Sequence, residues 1–132
     1  MDFVDLHLHS TFSHLDGYGK VSQIVEKAKS LNRKALALTD HGSISGFVQL
    51  HSACQLANIK PIYGYEAYIV EDINAMIENK IREKYHITIL AKNDIGYKNI
   101  LFLASLAYEK GFYYMPTIDE KVLFNHSEGL II

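Results

Sequence analysis

The run Ala35-Leu36-Ala37-Leu38 sets four consecutive apolar residues between Lys34 and the polar group Thr39-Asp40-His41-Gly42. It is too short for a helix and it does not alternate, so it reads as a strand buried on both faces. Helical spacing appears on either side of it. Val21, Ile24, Val25, Ala28 and Leu31 predict a helix over residues 21–31 with one apolar face, and Ile44, Phe47, Val48, His51 and Cys54 or Gln55 predict a second, to about Ala57. Residues 61–70, rich in Ile, Tyr and Val, and residues 85–91 read as strands. Tyr97, Ile100, Leu101, Ala104 and Tyr108 give a third helix, with Asn93 as N-cap and Gly111 suited to the C-cap. Residues 71–84 are charged and helix-compatible, in the manner of an insertion, and residues 129–132 look like the start of another strand. Ahead of these, Phe3 to His9 alternates with period two, which predicts a first strand with Val4, Leu6 and Leu8 on one face and Asp5, His7 and His9 on the other. The order strand, helix, strand, helix, strand, strand, helix, strand is that of an α/β fold with a mainly parallel sheet or barrel. No linker divides residues 1–132, which are taken as one unit.

Charge and cysteine content narrow the function classes. The net charge of −2 gives no support for non-specific nucleic-acid binding by the chain as a whole, which leaves only a local basic patch around Lys80, Arg82 and Lys84. Cys54 is the single cysteine, so no internal disulfide can form and a reduced compartment is the simpler setting. Residues 1–20 contain Asp2, Asp5 and Asp16 and no long apolar run, unlike a signal peptide. No stretch reaches the roughly 18 apolar residues of a membrane span, so a cytoplasmic location and no membrane partner are expected.

The histidines carry the functional reading. Four of the seven, His7, His9, His14 and His41, lie in the first 41 residues, where neither solubility nor packing requires them. His7 and His9 stand two residues apart on one strand face, about 6.6–6.8 Å, which suits two imidazoles reaching one metal or two neighbouring metals. Asp16 follows in a loop, His41 caps the second strand, Glu66 sits on the third and His86 begins the fourth. His9, His41 and Glu66 fit the rule that functional groups gather at the carboxyl ends of strands; His86 fits only if its strand runs antiparallel. A donor set of imidazole and carboxylate without thiolate favours zinc, manganese or iron over magnesium or calcium. Asp5 and Asp40 stand beside the candidate ligands as second-layer partners for their ring N–H groups. Each feature has a bland reading taken alone: a His-x-His pair arises by chance, Asp40-His41-Gly42 is ordinary turn chemistry, and Glu66 could be a solvated carboxylate. Four separate segments placing ligand-type side chains at strands or their flanking loops shift the balance. His51 reads as a packed core histidine, His126 as an exposed residue in a polar turn, and His14 is undecided. Tyr113 and Tyr114 read as packing residues, with base stacking as the alternative.

The motifs resemble those of the PHP family (polymerase and histidinol phosphatase). Asp5-Leu6-His7-Leu8-His9-Ser10 is similar to its first motif and Leu38-Thr39-Asp40-His41-Gly42 to its second. Gly64-Tyr65-Glu66 and His86-Ile87-Thr88-Ile89-Leu90-Ala91 are similar to the next two. Leu15-Asp16-Gly17, Leu90-Ala91-Lys92-Asn93, Gly96-Tyr97-Lys98-Asn99 and residues 107–114 resemble the branch carried by the alpha subunits of bacterial replicative DNA polymerases rather than the histidinol phosphatases. The resemblance covers nearly the whole chain and is weakest over residues 71–84. It implies a distorted β/α barrel, up to three divalent metals and phosphoester hydrolysis. The implied ligands are His7, His9, Asp16, His41, Glu66 and His86, with His7, His9, His41 and Glu66 carrying the catalysis.

The family pattern continues beyond this stretch to a further Cys or His, an Asp and a His. The chain is therefore expected to be the N-terminal portion of such a domain, with an incomplete ligand set when isolated. The functional expectation is a metal-dependent phosphoesterase or 3′–5′ exonuclease site attached to a polymerase. The alternative is a non-catalytic module that supports the polymerase core and the proofreading subunit. DNA, the rest of the alpha subunit and the proofreading exonuclease subunit are the partners this implies; unpaired sheet edges would also favour self-association.

Overall fold

The computed structural model describes residues 3–132; Asp2, counted above against a leader, lies outside them. The elements follow in the order α1 (Val21–Ser30), β1 (Ala35–Leu38), α2 (Phe47–Ala57), β2 (Lys60–Val70), α3 (Ile73–Glu78), β3 (Tyr85–Ala91), α4 (Asp94–Glu109), β4 (Phe112–Tyr113), β5 (Met115–Asp119), α5 (Glu120–Asn125) and β6 (Leu130–Ile131). They form a mixed sheet in the order β4-β5-β2-β3-β6, with β1 joined to β2. Strand β2 is the spine. β1 pairs with its first half in parallel, from Ala35 against Lys60 to Leu38 against Tyr63, and β5 pairs with its last residues in parallel. β3 runs antiparallel along the other edge, with Glu66 opposite Thr88 and Tyr68 opposite His86.

Apolar residues pack on the sheet in two main groups, with a smaller third around Val70. β1, buried at all four positions, lies under α1 and α2, where Val21, Val25, Leu36, Leu38, Leu50 and Cys54 form one core. The alternation of β2 supplies the second: Tyr65, Ala67 and Ile69 pack with Ile100, Leu103, Ala104 and Ala107 of α4. Glu66 and Tyr68, one residue out of phase, must then point to the opposite face. α4 starts where Asn93 accepts a hydrogen bond from the Gly96 amide at 3.0 Å, and a side chain on Gly96 would meet the Gly129 carbonyl oxygen at 1.8 Å. The helix therefore approaches the β6 loop as closely as backbone allows.

The α/β expectation holds, and the predicted helices and later strands lie within a few residues of their observed bounds. Three features differ. The sheet is mixed rather than mainly parallel, because β3 returns antiparallel to β2 after the α3-containing connection, residues 71–84. Residues 3–9 form no strand. The segment runs extended beside β1, with the Ala37 amide bonded to the Asp5 carbonyl and the Thr39 amide to the Leu8 carbonyl, but a bend at His7 breaks the ladder and leaves Leu6 48% exposed. The third difference is an omission: β4, β5 and α5 had no sequence signal, since β5 is five residues long and contains Pro116. Residues 71–84 contain the short helix α3, capped by Asp72 and seated on Val70 and Tyr113 through Ile73 and Met76.

Leu103 is fully buried between α4 and the sheet, so its truncation tests this packing. Leu103→Ala should lower the unfolding free energy by about 3 kcal/mol in urea titration. A loss below about 1 kcal/mol would mean that α4 does not pack as described.

Candidate metal centre

The parallel pairing of β1 with β2 continues past the end of β1 as an isolated bridge between His41 and Glu66, with the Gly42 amide bonded to the Glu66 carbonyl at 2.9 Å. This sets the His41 backbone level with Glu66 at the carboxyl end of β1. His86 comes from the opposite edge. It faces Tyr68 across the antiparallel ladder, so it shares a sheet face with Glu66 and lies diagonal to it. The antiparallel run of β3 is what brings the first residues of that strand to the site. The bend at His7 turns the His7 and His9 rings onto the same carboxylate.

Glu66 is the hub. Its Oε2 lies 2.5 Å from His7 Nε2 and 2.9 Å from His9 Nε2, and those two nitrogens are 3.1 Å apart. Its Oε1 lies 2.9 Å from His86 Nδ1 and 3.6 Å from His41 Nδ1. Asp16 Oδ2 stands 3.1 Å from His41 Nε2 and 3.9 Å from His9 Nδ1. All six expected residues therefore converge, in three overlapping groups: His7, His9 and Glu66; His41, Glu66 and His86; His9, Asp16 and His41. The hub is buried, while the side chains of His7 and His86 are 54% and 44% exposed and form an open rim.

The donor set fits divalent ions. With bonds of about 2.0–2.2 Å, neighbouring donors on one ion stand roughly 2.8–3.6 Å apart, a range that takes in the 2.9 and 3.1 Å separations of the first triangle, while the His7–Glu66 separation of 2.5 Å is closer. His41 Nδ1 is buried with no hydrogen-bond partner, as expected of a nitrogen with another use. Burial pushes the Glu66 pKa up, but hydrogen bonds from His7 and His86 and the charges of His41 and His7 outweigh it and hold the carboxyl below its usual range. Burial, together with His41 and His7, holds His9 below the ordinary imidazole value against the pull of Glu66 and Asp16. Both shifts favour the forms that ligate, a neutral imidazole and an ionised carboxylate.

A buried knot under His9 fixes its ring. Asp40 accepts from the Ser10 amide at 2.6 Å, the Ser10 hydroxyl at 2.8 Å and the Ser13 hydroxyl at 2.7 Å. Ser13 has spent its proton on Asp40, so toward His9 Nδ1 at 2.8 Å and the His41 amide at 3.0 Å it can only accept. His9 therefore carries its proton on Nδ1 and turns the Nε2 lone pair toward Glu66 and His7. Asp40 does serve the site, through Ser13 rather than directly. Asp5 does not: its carboxylate lies 3.9 Å from Arg33 Nε, away from the cluster, because the bend at His7 breaks the alternation that would have aligned them. Ser10 and Ser13 were not singled out in the sequence, where serines after a strand look like turn chemistry. The loop beyond them turns so tightly that a side chain on Gly17 would overlap the Ser10 carbonyl.

The remaining histidines stay outside. His14 is exposed and belongs to none of the three groups. His51 is not a core residue; it is exposed and bonded to the Tyr63 hydroxyl at 2.7 Å. His126 is half-buried rather than exposed, stacked on Phe102 and bonded to the Val122 carbonyl.

Both pKa shifts give the metal-free protein an acid-sensitive stability. Each group binds its proton less readily when folded, so its contribution is present above the unfolded value and is lost as pH falls. His9 acts first, below about 6.5, and Glu66 below about 4.5. In chelator, the unfolding midpoint should fall on acidification from pH 7, and His9→Gln should flatten the upper part of the fall. An unchanged profile in that variant would remove His9 from the account.

The family profile described as PHP domain matches residues 5–132. The chain is 46% identical over 131 residues to the DNA polymerase III subunit alpha of Borreliella burgdorferi, an alignment covering 98% of this chain and 11% of that protein. It is 44% identical over 133 residues to the subunit of the same name from Treponema pallidum, covering 99% and 11%. The chain thus spans about a tenth of the length of these relatives. Among solved structures, an amidohydrolase from Chromobacterium violaceum has a TM-score of 0.55 at 23% identity over 80% of this chain and 34% of that one, a likeness of fold. With the motif residues gathered on one carboxylate and the profile matched from Asp5 to Ile132, the chain belongs to the PHP domain family.

Proposed function

We propose that the chain is the N-terminal portion of the PHP domain of a bacterial replicative DNA polymerase alpha subunit, and that its centre binds divalent metal for phosphodiester hydrolysis of the 3′–5′ exonuclease type. The observation that carries this is the division of Glu66, which offers one oxygen to His7 and His9 and the other to His41 and His86. One carboxylate bridging two imidazole pairs is suited to two adjacent ions, with Asp16 beside His41 as a further donor. Zinc and manganese suit the donors best, and iron is compatible. Such ions supply the Lewis acidity that opposes the negative charge built up during attack at phosphorus.

The chain's own residues do the rest. His7, His9, His41 and Glu66 form the catalytic core, His86 and Asp16 complete it, and the Asp40–Ser13 pair orients His9. The open rim at His7 and His86 leaves room for a chain terminus, and a mismatched DNA end is the substrate this reading implies. The polymerase context rests on the relatives, and it makes DNA, the rest of an alpha subunit and a proofreading subunit the partners, in the cytoplasm. Among the described residues no helix is long and apolar enough to cross a membrane.

After dialysis against manganese or zinc, elemental analysis should find metal in the wild-type chain and little in Glu66→Ala, where both groups lose their shared donor. His7→Ala/His9→Ala should retain about half, and retention should fall below pH 6.5 as imidazoles protonate. Equal metal in wild type and both variants would end the proposal. Nucleotide release from single-stranded DNA with manganese, made in the relatives' full-length context, should drop about a hundredfold in Glu66→Gln. Metal bound without His7-dependent release would instead favour a supporting role beside the polymerase core.

A further inference from the structure

Tyr113 pairs with Met115 across the β4–β5 hairpin, so Tyr114 alone forms its tip. Its φ is 63°, a left-handed conformation in which glycine or asparagine usually sits and a bulky aromatic residue is strained. The residue placed there at that disadvantage is 58% exposed. Arg82 lays its guanidinium over the ring, 4.3 Å from the centroid, and donates to the Tyr114 hydroxyl at 2.6 Å. Tyr113 meets Tyr114 edge-on at 4.8 Å, and Lys84 Nζ stands 5.8 Å over Tyr113. Among the described residues, neither Arg82 nor Lys84 forms an ion pair with a carboxylate. Two cations outside any ion pair thus stand against two aromatic rings, with Glu83 between them in the chain and Lys84 Nζ donating to the Arg82 carbonyl at 3.1 Å.

Two connections place this ledge beside the metal centre. Lys84 immediately precedes β3 and is two residues from His86, about 6.6–6.8 Å along an extended chain. Tyr114 is two residues from Pro116, whose ring closes on Gly42 next to His41. The ledge is thus joined to the His/Glu cluster on both sides, through His86 and through the Pro116–Gly42 contact. An exposed ring can stack only on a base that is not already stacked in a duplex, and unpaired cations track the backbone phosphates.

We propose that Arg82, Lys84, Tyr113 and Tyr114 form a binding ledge for single-stranded nucleic acid leading to the metal centre. Tyr114 takes a base, and Arg82 and Lys84 take phosphates. The inference rests on the phosphodiester reading of that centre and adds the substrate's track and strandedness. A purely structural cation–π cluster would not need a strained aromatic residue at the tip, where glycine would close the hairpin more readily.

The test is fluorescence anisotropy of a labelled oligothymidylate of about 12 nucleotides. The full chain is used in excess chelator, so that neither metal nor turnover contributes. Tyr114→Gly should weaken binding about tenfold, and Tyr114→Phe should stay within about twofold of wild type. Glycine suits the backbone at this position, so urea unfolding should show no loss of stability in Tyr114→Gly. Arg82→Ala/Lys84→Ala should also weaken binding about tenfold and reduce the slope of log affinity against log salt by about 1.4, for two phosphate contacts on a single strand. Unchanged affinity in both sets would overturn the ledge. So would a wild-type chain that does not bind the oligonucleotide, the result expected if these aromatics instead meet another protein. A wild-type chain that takes up metal but does not bind the oligonucleotide sinks the ledge alone, and a wild-type chain that binds the oligonucleotide but takes up no metal sinks the proposed centre alone.

Discussion

The parallel pairing of β1 with β2 is the constraint on which the rest depends. One register, running from Ala35 and Lys60 to Leu38 and Tyr63, buries four apolar residues under two helices and then carries on to the bridge between His41 and Glu66. A slip of one residue would invert the faces of β2. Glu66 would then point into the α4 core, and Tyr65 into the place of the carboxylate. Burying an unpartnered carboxylate there would cost several kcal/mol, so the core and the site enforce the same register. Folding and the candidate site are coupled through a single strand in which Tyr65, Ala67 and Ile69 pack on α4 while Glu66 faces the imidazoles.

Electrostatics at the centre follow from that placement. A carboxylate as buried as Glu66 is disfavoured unless something compensates for lost water, and hydrogen bonds from His7 and His86 with the charges of His41 and His7 do so. The same desolvation holds His9 below its ordinary value and leaves it neutral near pH 7. Beneath them Asp40 is buried yet accepts three hydrogen bonds, which makes it a rigid post rather than a liability. Ser13 passes that rigidity to His9 and to the His41 backbone. The centre is thus pre-shaped on its buried side and open at His7 and His86.

Much of the fold was legible because most elements announce themselves locally. The helical spacing from Val21 to Leu31 needs no tertiary information, and neither does the Ala-Leu-Ala-Leu run or the Asn93 cap that does accept from the Gly96 amide. Residues 3–9 misled, since clean alternation is a pattern of side chains, whereas a strand requires a continuous ladder that the bend at His7 denies them. β4, β5 and α5 were silent because all three are short and because β5, which anchors the group, is held by pairing with β2 from a distant part of the chain. The ligand-type residues were legible as a set and by resemblance. The serines beneath them were not, because a hydroxyl that fixes a tautomer looks in sequence like any turn residue.

The sequence by itself determined the α/β class, the positions of the principal helices and the six histidine and carboxylate residues that gather at Glu66, since these depend on residue type, spacing and motif. The tertiary structure decided which oxygen of Glu66 meets which imidazole, that β3 returns antiparallel to deliver His86, and that Asp40 works through Ser13 while Asp5 is drawn off to Arg33. It also decided that a tyrosine at a hairpin tip stands under Arg82, a residue 32 positions away in the chain. Those outcomes depend on register and on direction in space, which are properties of paired strands and packed faces rather than of any one segment.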